Sequence, residues 1–478
     1  MFVDRESELS QLEELYRTGQ AELFILYGRR RVGKTELLRA FCVGKRHLFF
    51  IATMRSDSDQ LAEFSQQIWG YTHDETPDGF TFPFWEAAFR ALVELPGRPI
   101  VILDEFTYLI AGNKAIPSIL QKVWDEILRG TTIFLILCGS YVGMMETEVL
   151  GYRAPLYGRR TGSLFLQPLN LSAVATFFPG YTSVQQIEVW SALGGMPYYL
   201  ESFVSSRGLF ANIRRHILDT KGQLYDEPRL VLMEELREPR NYFSILRAIA
   251  QGRTRLNEIA QAAGVGNANT TARYLDILQQ LHLIERRVPA TESRPEKSKK
   301  GIYHFTDPFL RFWFRYVLPY KGSLELGLAS AILDQRIRPD FEIYMGQGFE
   351  EAAREHVARL ARAGELPFLP ERIGSWWDRE AEIDIVAVSD TERLIMLGEC
   401  KWSSRPVGVN ILQGLQVKAH ELLKSGHWKN VQYILFSKSG FTPAMIVEAT
   451  EKGIRLVEPQ EMVGEDATWS SRDSLDRD

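Results

Sequence analysis

The chain has 478 residues, of which 45% are hydrophobic and 24% charged, and its formal net charge is −5. The length predicts about three globular domains, and the charge excludes a chain that is basic throughout, so any contact with nucleic acid must be local. The three cysteines lie too far apart for a metal-ligand motif, and no apolar run reaches the roughly 18 residues of a membrane helix. We therefore expect a cytoplasmic protein that does not engage a membrane.

The first motif is a glycine-rich loop between a predicted buried strand, residues 23–27, and a predicted helix that begins near residue 36. It fits the P-loop pattern G-x-x-x-x-G-K-[ST], in which backbone N–H groups at a helix N-terminus converge on a phosphate. The pattern predicts that Lys34 reaches the β- and γ-phosphates of a nucleotide and that the Thr35 hydroxyl binds Mg²⁺. The predicted cofactor-binding residues of the loop are Gly28, Arg29, Arg30, Arg31, Val32, Gly33, Lys34 and Thr35.

Two further apolar runs end in polar residues that a P-loop enzyme needs. Residues 99–103 are followed by Asp104, predicted to hold Mg²⁺, and by Glu105, predicted to orient or deprotonate the attacking water. Residues 132–138 end near Ser140, which is either a sensor of the γ-phosphate or a plain strand-end cap. Strands and helices alternate throughout this part of the chain, which predicts a parallel α/β sheet.

Beyond a mostly helical stretch, three amphipathic segments and two short strands predict a winged helix-turn-helix. The helices cover residues 242–250, 256–263 and a third segment that Asn269 would cap, and the strands cover residues 283–288 and 301–305. This module either contacts DNA or serves only as a packing unit. Base edges would be read from the start of the third helix, by Asn267, Asn269, Thr270, Thr271 and Arg273. Phosphates would be contacted from the hairpin, by Arg286, Arg287, Arg294, Lys297, Lys299 and Lys300.

The C-terminal part predicts an α/β domain with a cluster of acids. Strands over residues 380–388 and 394–402 would pair as a hairpin, which brings Asp384 near Glu399, and Lys401 shares the face of Glu399 because it lies two residues further on. Clustered carboxylates bind Mg²⁺, and a neighbouring lysine stabilises developing charge. The spacing alone leaves open whether these residues form a metal site or are solvated strand residues.

With these residues in view, nearly all of residues 1–460 resembles archaeal and bacterial ATPases of the STAND-like AAA+ branch, fused to a C-terminal domain of unknown function. The resemblance implies ATP and Mg²⁺ as cofactors. It implies that Arg5, in the box at residues 2–9, lies near the nucleotide base and that Pro197 belongs to a lid motif that contacts the nucleotide. Arg159 or Arg160 would contact the γ-phosphate, from the same or a neighbouring subunit, or would form an interdomain salt bridge.

The C-terminal domain itself resembles the PD-(D/E)xK restriction-endonuclease fold. Asp384, Glu399 and Lys401 match its motif, and Glu350 matches an acid on the preceding helix, although Ile383 stands where the motif has proline. The resemblance implies that the three acids bind a metal ion and that Lys401 is catalytic.

The expected fold class is therefore α/β, a P-loop ATPase with a helical lid, a winged helix-turn-helix and a restriction-endonuclease-like domain. The expected function is an ATP-hydrolysing, DNA-interacting ATPase with a metal-dependent nuclease-like effector; the alternative is a nucleotide switch whose C-terminal domain is a non-cleaving scaffold or binds a partner. DNA is the expected partner, beside a homo-oligomer or a partner protein. The expected segments are an ATPase domain at 1–165, a lid at 166–238, a winged helix at 239–305, an aromatic helical connector at 306–345, a nuclease-like domain at 346–462 and a flexible tail at 463–478.

Overall fold

The computed structural model describes residues 2–73, 75, 77–236, 239–424 and 428–464. The chain divides into two compact units. The first comprises Met1–Pro168 and Met196–Tyr198, and the second comprises Leu169–Gly195 and the chain from Tyr199 onward. The first unit's main segment ends close to the predicted boundary at 165. The predicted winged helix, connector and C-terminal domain fall together in the second unit, whereas the predicted lid is divided, since its residues 166–168 and Met196–Tyr198 belong to the first unit. Nearly all of the predicted tail lies outside the described residues.

A five-stranded parallel sheet with helices along the chain between its strands forms the first unit. The strands are β1 (Glu22–Tyr27), β2 (His47–Ile51), β3 (Ile100–Asp104), β4 (Phe134–Gly139) and β5 (Gly162–Phe165). The helices are α1 (Glu6–Arg17), α2 (Lys34–Cys42), α3 (Asp57–Thr72), α4 (Trp85–Ala91), α5 (Phe106–Gly112), α6 (Ile116–Glu126) and α7 (Val142–Met144). The strand order is β2–β3–β4–β1–β5. Strands β1, β3 and β4 are almost entirely buried, as expected for a parallel sheet that is covered on both faces. The predicted parallel α/β fold is thereby confirmed.

The sheet brings three predicted functional segments to one edge. Strands β1 and β4 run parallel, with Tyr27 beside Gly139, and β3 pairs with β4 in the same direction. Because parallel strands present their carboxyl ends at the same edge, the P-loop after β1, the acids after β3 and Ser140 after β4 are neighbours there.

The second unit begins with helices and continues into three helices and a hairpin. The helices are α8 (Leu171–Phe177), α9 (Ser183–Leu193), α10 (Pro197–Ser202), α11 (Leu209–Asn212), α12 (Glu227–Glu235), α13 (Pro239–Ala250), α14 (Leu256–Ala263) and α15 (Ala268–Gln280). Strands β6 (Ile284–Arg287) and β7 (Ile302–Phe305) pair antiparallel. The third helix of this group, α15, begins earlier than predicted. Asn267, which has extended backbone angles, caps it by accepting the N–H of Thr270, so the prediction of Asn269 as the cap was wrong.

The remainder of the second unit contains a mixed five-stranded sheet. Its helices are α16 (Pro308–Tyr316), α17 (Lys321–Glu325), α18 (Ala329–Ile332), α19 (Arg338–Ala363), α20 (Val409–Leu423), α21 (Pro443–Lys452) and α22 (Pro459–Val463). Its strands are β8 (Arg372–Trp377), β9 (Glu382–Ser389), β10 (Leu394–Lys401), β11 (Asn430–Ser437) and β12 (Arg455–Val457). The order is β12–β11–β10–β9–β8, in which β10 runs antiparallel to β9 and parallel to β11. The aromatic side chains of α16 are largely buried.

Short segments of other helical types complete the described chain. The 3₁₀ helices are Leu92–Glu94, Leu128–Gly130, Pro295–Lys297 and Leu318–Tyr320, and the π-helical turns are Met145–Val149, Ile213–Leu218 and Leu333–Ile337.

Candidate functional site

The P-loop connects β1 to α2 with a backbone that its glycines make possible. A side chain at Gly28 would put its Cβ 2.7 Å from the carbonyl oxygen of Leu166, and Gly33 has a φ of 98° immediately before α2. Lys34 is buried, and its Nζ donates to the carbonyl oxygens of Gly28, at 2.8 Å, and of Arg29, at 3.1 Å. The ammonium group therefore lies over a loop that leads into a helix N-terminus, which is the arrangement that attracts phosphate.

The two predicted Mg²⁺ ligands of the first unit lie together. Thr35 Oγ1 donates to Asp104 Oδ2 at 3.0 Å, and Asp104 Oδ1 accepts the N–H of Glu105 at 2.9 Å. Two ligands at right angles around an octahedral ion, each about 2.1 Å from it, stand roughly 3.0 Å apart. The hydroxyl and the carboxylate therefore fit a shared Mg²⁺ ion.

Glu105, which is predicted to orient or deprotonate the attacking water, is held by Ser140, a residue whose role the sequence left open. Its φ is 52°, an uncommon left-handed conformation for a residue with a side chain. Its Oε1 accepts the hydroxyl of Ser140 at 2.7 Å, and its Oε2 accepts the N–H of Ser140 at 3.4 Å. Ser140 thus orients the Glu105 carboxylate, a role that neither sequence interpretation had included.

Arg5 supports the P-loop backbone. Its Nη2 donates to the carbonyl oxygens of Val32, at 3.0 Å, and of Gln167, at 2.8 Å, while its Nη1 pairs with Glu8 at 2.9 Å. The guanidinium is buried and engaged on both sides. Arg5 therefore holds the loop backbone in place, and its assignment as a cofactor-binding residue near the nucleotide base remains a prediction.

The lid motif lies against the same loop within the first unit. A Cβ built on Gly33 would stand 3.8 Å from Pro197 Cγ, and the guanidinium carbon of Arg31 lies 3.6 Å from the centre of the Tyr198 ring. Arg30 donates a hydrogen bond to the Tyr108 hydroxyl. Pro197 is therefore adjacent to the phosphate-binding loop, where its assignment as a cofactor-binding residue remains a prediction.

The two predicted arginine-finger residues differ in their surroundings. Arg159 pairs with Asp125 on α6, with Nη2 3.0 Å from Oδ2. This salt bridge lies inside the first unit, so the interdomain salt bridge that the sequence offered as an alternative is wrong for Arg159. Arg160 is exposed and acts electrostatically on the hydroxyl of Tyr27 at the end of β1. Of the two, Arg160 retains the accessible guanidinium.

The acids of the C-terminal sheet form an electrostatically coupled group. Burial, and then the charge of Asp384, raise the pKa of Glu350 well above its usual value, and burial and the charge of Glu399 raise the pKa of Asp384. Asp384 Oδ2 accepts the N–H of Cys400 at 2.8 Å, while Glu399 is almost fully buried. Like-charge crowding of this kind is typical of carboxylates that share a site.

Glu399 is also neutralised by two ammonium groups. Lys401 Nζ lies 2.7 Å from its Oε1, and Lys418 Nζ lies 2.8 Å from the same oxygen. Sequence analysis missed Lys418, although a signal was present. It lies three residues after Leu415 and four before Leu422, so it stands on the buried face of α20, where a lysine is unusual.

The predicted three-carboxylate metal site is not assembled in this arrangement. In the described part of the chain, no group of three or more His, Cys, Asp or Glu side chains is positioned to hold a metal ion. The prediction that Glu350, Asp384 and Glu399 converge on one ion therefore needs correction. The physical reason is that Glu399 is turned toward two lysines, while Asp384 accepts a backbone N–H. Asp384 and Glu399 remain a pair of oxygen donors on neighbouring strands.

Several residues predicted to touch DNA are buried or already form ion pairs or hydrogen bonds within the protein. Arg287 pairs with Glu351 on α19. Burial by itself would lower the pKa of Arg287, but the charges of Glu351 and Glu285 outweigh burial and raise that pKa. Thr271 is buried, and Arg286 donates to the carbonyl oxygens of Pro295 and Ser298. The candidates that remain exposed lie at the cap of α15, on α15 and in the hairpin loop: Asn267, Asn269, Thr270, Arg273, Arg294, Lys297, Lys299 and Lys300.

Comparison with known proteins identifies both ends of the chain. Residues 2–203 match a family model described as an ATPase domain predominantly from Archaea, and residues 313–415 match one described as Archaea bacterial proteins of unknown function. The Walker-type ATPase of Pyrococcus abyssi, a solved structure, has a TM-score of 0.49 and 23% identity, covering 66% of this chain and 96% of that one. None of the helices in the described ranges combines the length and hydropathy needed to cross a membrane.

Two relatives come from Methanocaldococcus jannaschii. The uncharacterized ATP-binding protein MJ0423 is 52% identical over 46 residues, which are 10% of this chain and 78% of that protein. The uncharacterized protein MJECL04 is 35% identical over 402 residues, which are 84% of this chain and 88% of the relative. Because this similarity spans most of both chains, the protein belongs to the same family as MJECL04, and its N-terminal part is an ATPase domain of the kind found predominantly in Archaea.

Proposed function

We propose that the protein is an ATP-dependent switch of the STAND-like AAA+ type whose second unit acts on DNA through a metal-dependent, nuclease-like site. The observation that carries the proposal is that Asp384 on β9 accepts the N–H of Cys400, the residue next to Glu399 on the paired strand β10. Lys401 lies beside Glu399, and Glu350 lies on α19. A buried carboxylate such as Asp384, whose pKa is raised by burial and by a neighbouring acid, is more characteristic of a functional site than of solvated strand residues.

The order of elements around these residues supports the same interpretation. Helix α19 is followed by the antiparallel strands β8, β9 and β10, then by α20 and by β11, which pairs parallel to β10. This is the arrangement expected from the resemblance to the PD-(D/E)xK fold. The motif acids lie at the ends of β9 and β10 where those strands pair, and Glu350 lies on the preceding helix.

Each residue of this site has a distinct proposed role. Asp384 and Glu399 would hold Mg²⁺, which supplies charge neutralisation and an activated water when bound. The Lys401 side chain is 37% exposed, so its ammonium group would reach a phosphate that approaches the strand ends. Lys418 would hold the Glu399 carboxylate in position.

DNA would be contacted by the group of three helices and a hairpin, which we assign as a winged helix. The start of α15 offers Asn269, Thr270 and Arg273 in exposed positions, and the loop between β6 and β7 carries exposed lysines. Such loops contact phosphates and supply affinity with little sequence preference.

The ATPase site would control this activity. Lys34, Thr35 and Asp104 would hold ATP and Mg²⁺, and Glu105 would orient the attacking water. Pro197 lies beside the P-loop and begins α10, which continues along the chain into the second unit. A nucleotide-dependent displacement of the loop would therefore be transmitted through α10.

Nicking of supercoiled plasmid DNA in Mg²⁺ tests the proposal. Wild type should nick, and Lys401→Ala should lose nicking while its DNA affinity stays unchanged. Lys452→Ala is a matched control, because this exposed lysine in the same sheet domain pairs only locally with Glu448. Nicking that persists equally in Lys401→Ala would reject the assigned site.

A second function is favoured by one specific observation. Glu399 is already neutralised by Lys401 and Lys418, and such a buried, paired carboxylate can serve structure alone. The protein would then be a nucleotide switch whose C-terminal domain binds a partner without cleaving DNA. Wild type that hydrolyses ATP but shows no nicking in ATP, ADP or nucleotide-free conditions would select this alternative.

A further inference from the structure

A small pocket lies inside the second unit, away from the carboxylate group. It encloses about 70 Å³ between the end of α13, strand β7 and helices α16 and α19. A single water needs roughly 10–15 Å³ measured in the same way, so the pocket has room for several waters or one small polar group. Its lining combines apolar side chains with the polar groups of His304, Arg311, Arg315 and Gln347.

Two buried nitrogen atoms in this lining lack hydrogen-bond partners. Among the residues that the structure describes, neither Arg311 Nε nor His304 Nε2 has a partner. Arg311 is only 7% exposed, and its Cζ lies 4.2 Å from the centre of the Tyr344 ring. Buried donors are normally satisfied, so two orphaned nitrogens at one pocket indicate a missing acceptor.

The hydrogen bond of His304 fixes which of its nitrogens is a donor. Gln347 Nε2 donates to His304 Nδ1 at 3.0 Å, which leaves the imidazole proton on Nε2. Both orphaned atoms are therefore N–H donors. A ligand that satisfies them must supply acceptors, and the guanidinium favours one that carries negative charge.

The second arginine of the pocket is already compensated. Arg315 Nη2 lies 2.6 Å from Asp340 Oδ2, and the Tyr316 hydroxyl donates to the same oxygen. Asp340 is thus directed to Arg315 and Tyr316, which leaves Arg311 Nε as the arginine donor of this lining that a ligand would satisfy.

We propose that this pocket binds a small oxyanion, either phosphate or a short carboxylate, which accepts hydrogen bonds from Arg311 and His304. The site is independent of the nuclease-like function. It joins the hairpin strand β7 to helix α19, and Gln347 lies one turn before Glu350 on that helix. An anion bound there would stabilise the contact between the hairpin and the helix that carries Glu350.

Isothermal titration calorimetry on the full-length chain tests the site, with inorganic phosphate and acetate as separate probes at constant ionic strength. A saturating non-hydrolysable ATP analogue and Mg²⁺ are present throughout, so that all three phosphate positions of the P-loop are filled and the loop cannot take the probe. We expect one further anion per chain. Affinity should fall by roughly tenfold or more in Arg311→Met, as expected for loss of a charged hydrogen bond, and should be unchanged in the exposed control Arg362→Met.

A second variant keeps the test decisive if Arg311→Met does not fold. Thr254 lines the pocket and is only partly buried, so Thr254→Trp fills the space without removing a buried charge. It should abolish the additional binding. Phosphate binding without acetate binding, or the reverse, identifies the class of anion. No saturable binding of either probe to wild type, or equal binding in the control, Arg311→Met and Thr254→Trp, overturns the proposal.

Discussion

Removal of the Ser140 hydroxyl should slow ATP hydrolysis while ATP affinity is retained. Ser140 Oγ donates to Glu105 Oε1 at 2.7 Å, and Glu105 itself has the uncommon left-handed φ of 52°. Such strained conformations persist where surrounding contacts enforce them, and they are frequent at functional sites. In Ser140→Ala the carboxylate loses its shorter hydrogen bond and would sample orientations that do not address the attacking water.

The size of the effect follows from this one contact. A hydrogen bond to a charged group contributes about 1.5–3 kcal/mol, and about 1.4 kcal/mol corresponds to a tenfold change. The N–H of Ser140 remains 3.4 Å from the other carboxylate oxygen, so part of the restraint survives. We therefore expect turnover to fall by roughly tenfold. Because the proposed role of Glu105 is to act on the attacking water and not on the bound phosphates, the Kd for ATP should not change.

The assay pairs steady-state ATP hydrolysis with an independent measurement of ATP binding by calorimetry. Ser140→Thr retains a hydroxyl and should recover part of the activity, while Ser58→Ala removes an exposed hydroxyl elsewhere in the first unit and should behave as wild type. Thermal unfolding checks that each variant is folded. Unchanged turnover in Ser140→Ala, or an equal loss of ATP affinity and turnover, would refute the assigned role.

Three further predictions concern the second unit. Arg287→Met should reduce the free energy of unfolding by about 2–3 kcal/mol in urea titrations, because it removes one of the two arginines that pair with the largely buried Glu351 and leaves Arg354 to compensate that charge. Arg294→Met in the exposed loop should stay within about 0.5 kcal/mol of wild type, and equal losses in the two variants would contradict the buried pair. Burial would raise the pKa of Glu351, but the charge of Arg287 helps to hold that pKa at about 2. The stabilisation by Glu351 should therefore be complete above its unfolded pKa of about 4.5 and should be lost as pH falls toward 2. The stability difference between wild type and Glu351→Gln, measured against pH, should shrink over that range, and a pH-independent difference would argue against the pair. If the hairpin contacts DNA, each phosphate-contacting lysine contributes about 0.9 to the slope of log K against log salt. Fluorescence anisotropy should therefore show a flatter slope after alanine replaces Lys297, Lys299 and Lys300. An unchanged slope would contradict the contact.

The local sequence patterns were sufficient for the elements of secondary structure that carry function. The glycine loop predicted both the strand before it and α2 after it, because a P-loop needs a tight turn between them. Alternation around Asp384 and Glu399 predicted the pairing of β9 and β10, since side-chain direction in strands has a period of two. The cap of α15 was misplaced by two residues, because Asn267 and Asn269 are equally suitable by residue type and only the backbone path distinguishes them.

The sequence by itself determined the P-loop chemistry, because its ligands are set by short-range spacing and by the shared edge of parallel strands. Tertiary structure alone decided which side chains are already engaged. Arg5 is bound to Val32 and Gln167, and Arg287 is bound to Glu351 far along the chain. Lys418 reaches Glu399 only because α20 packs against β10. Such pairings join residues that are distant in sequence, and a buried charge takes whichever partner the packing brings near it, so no local pattern could have specified them.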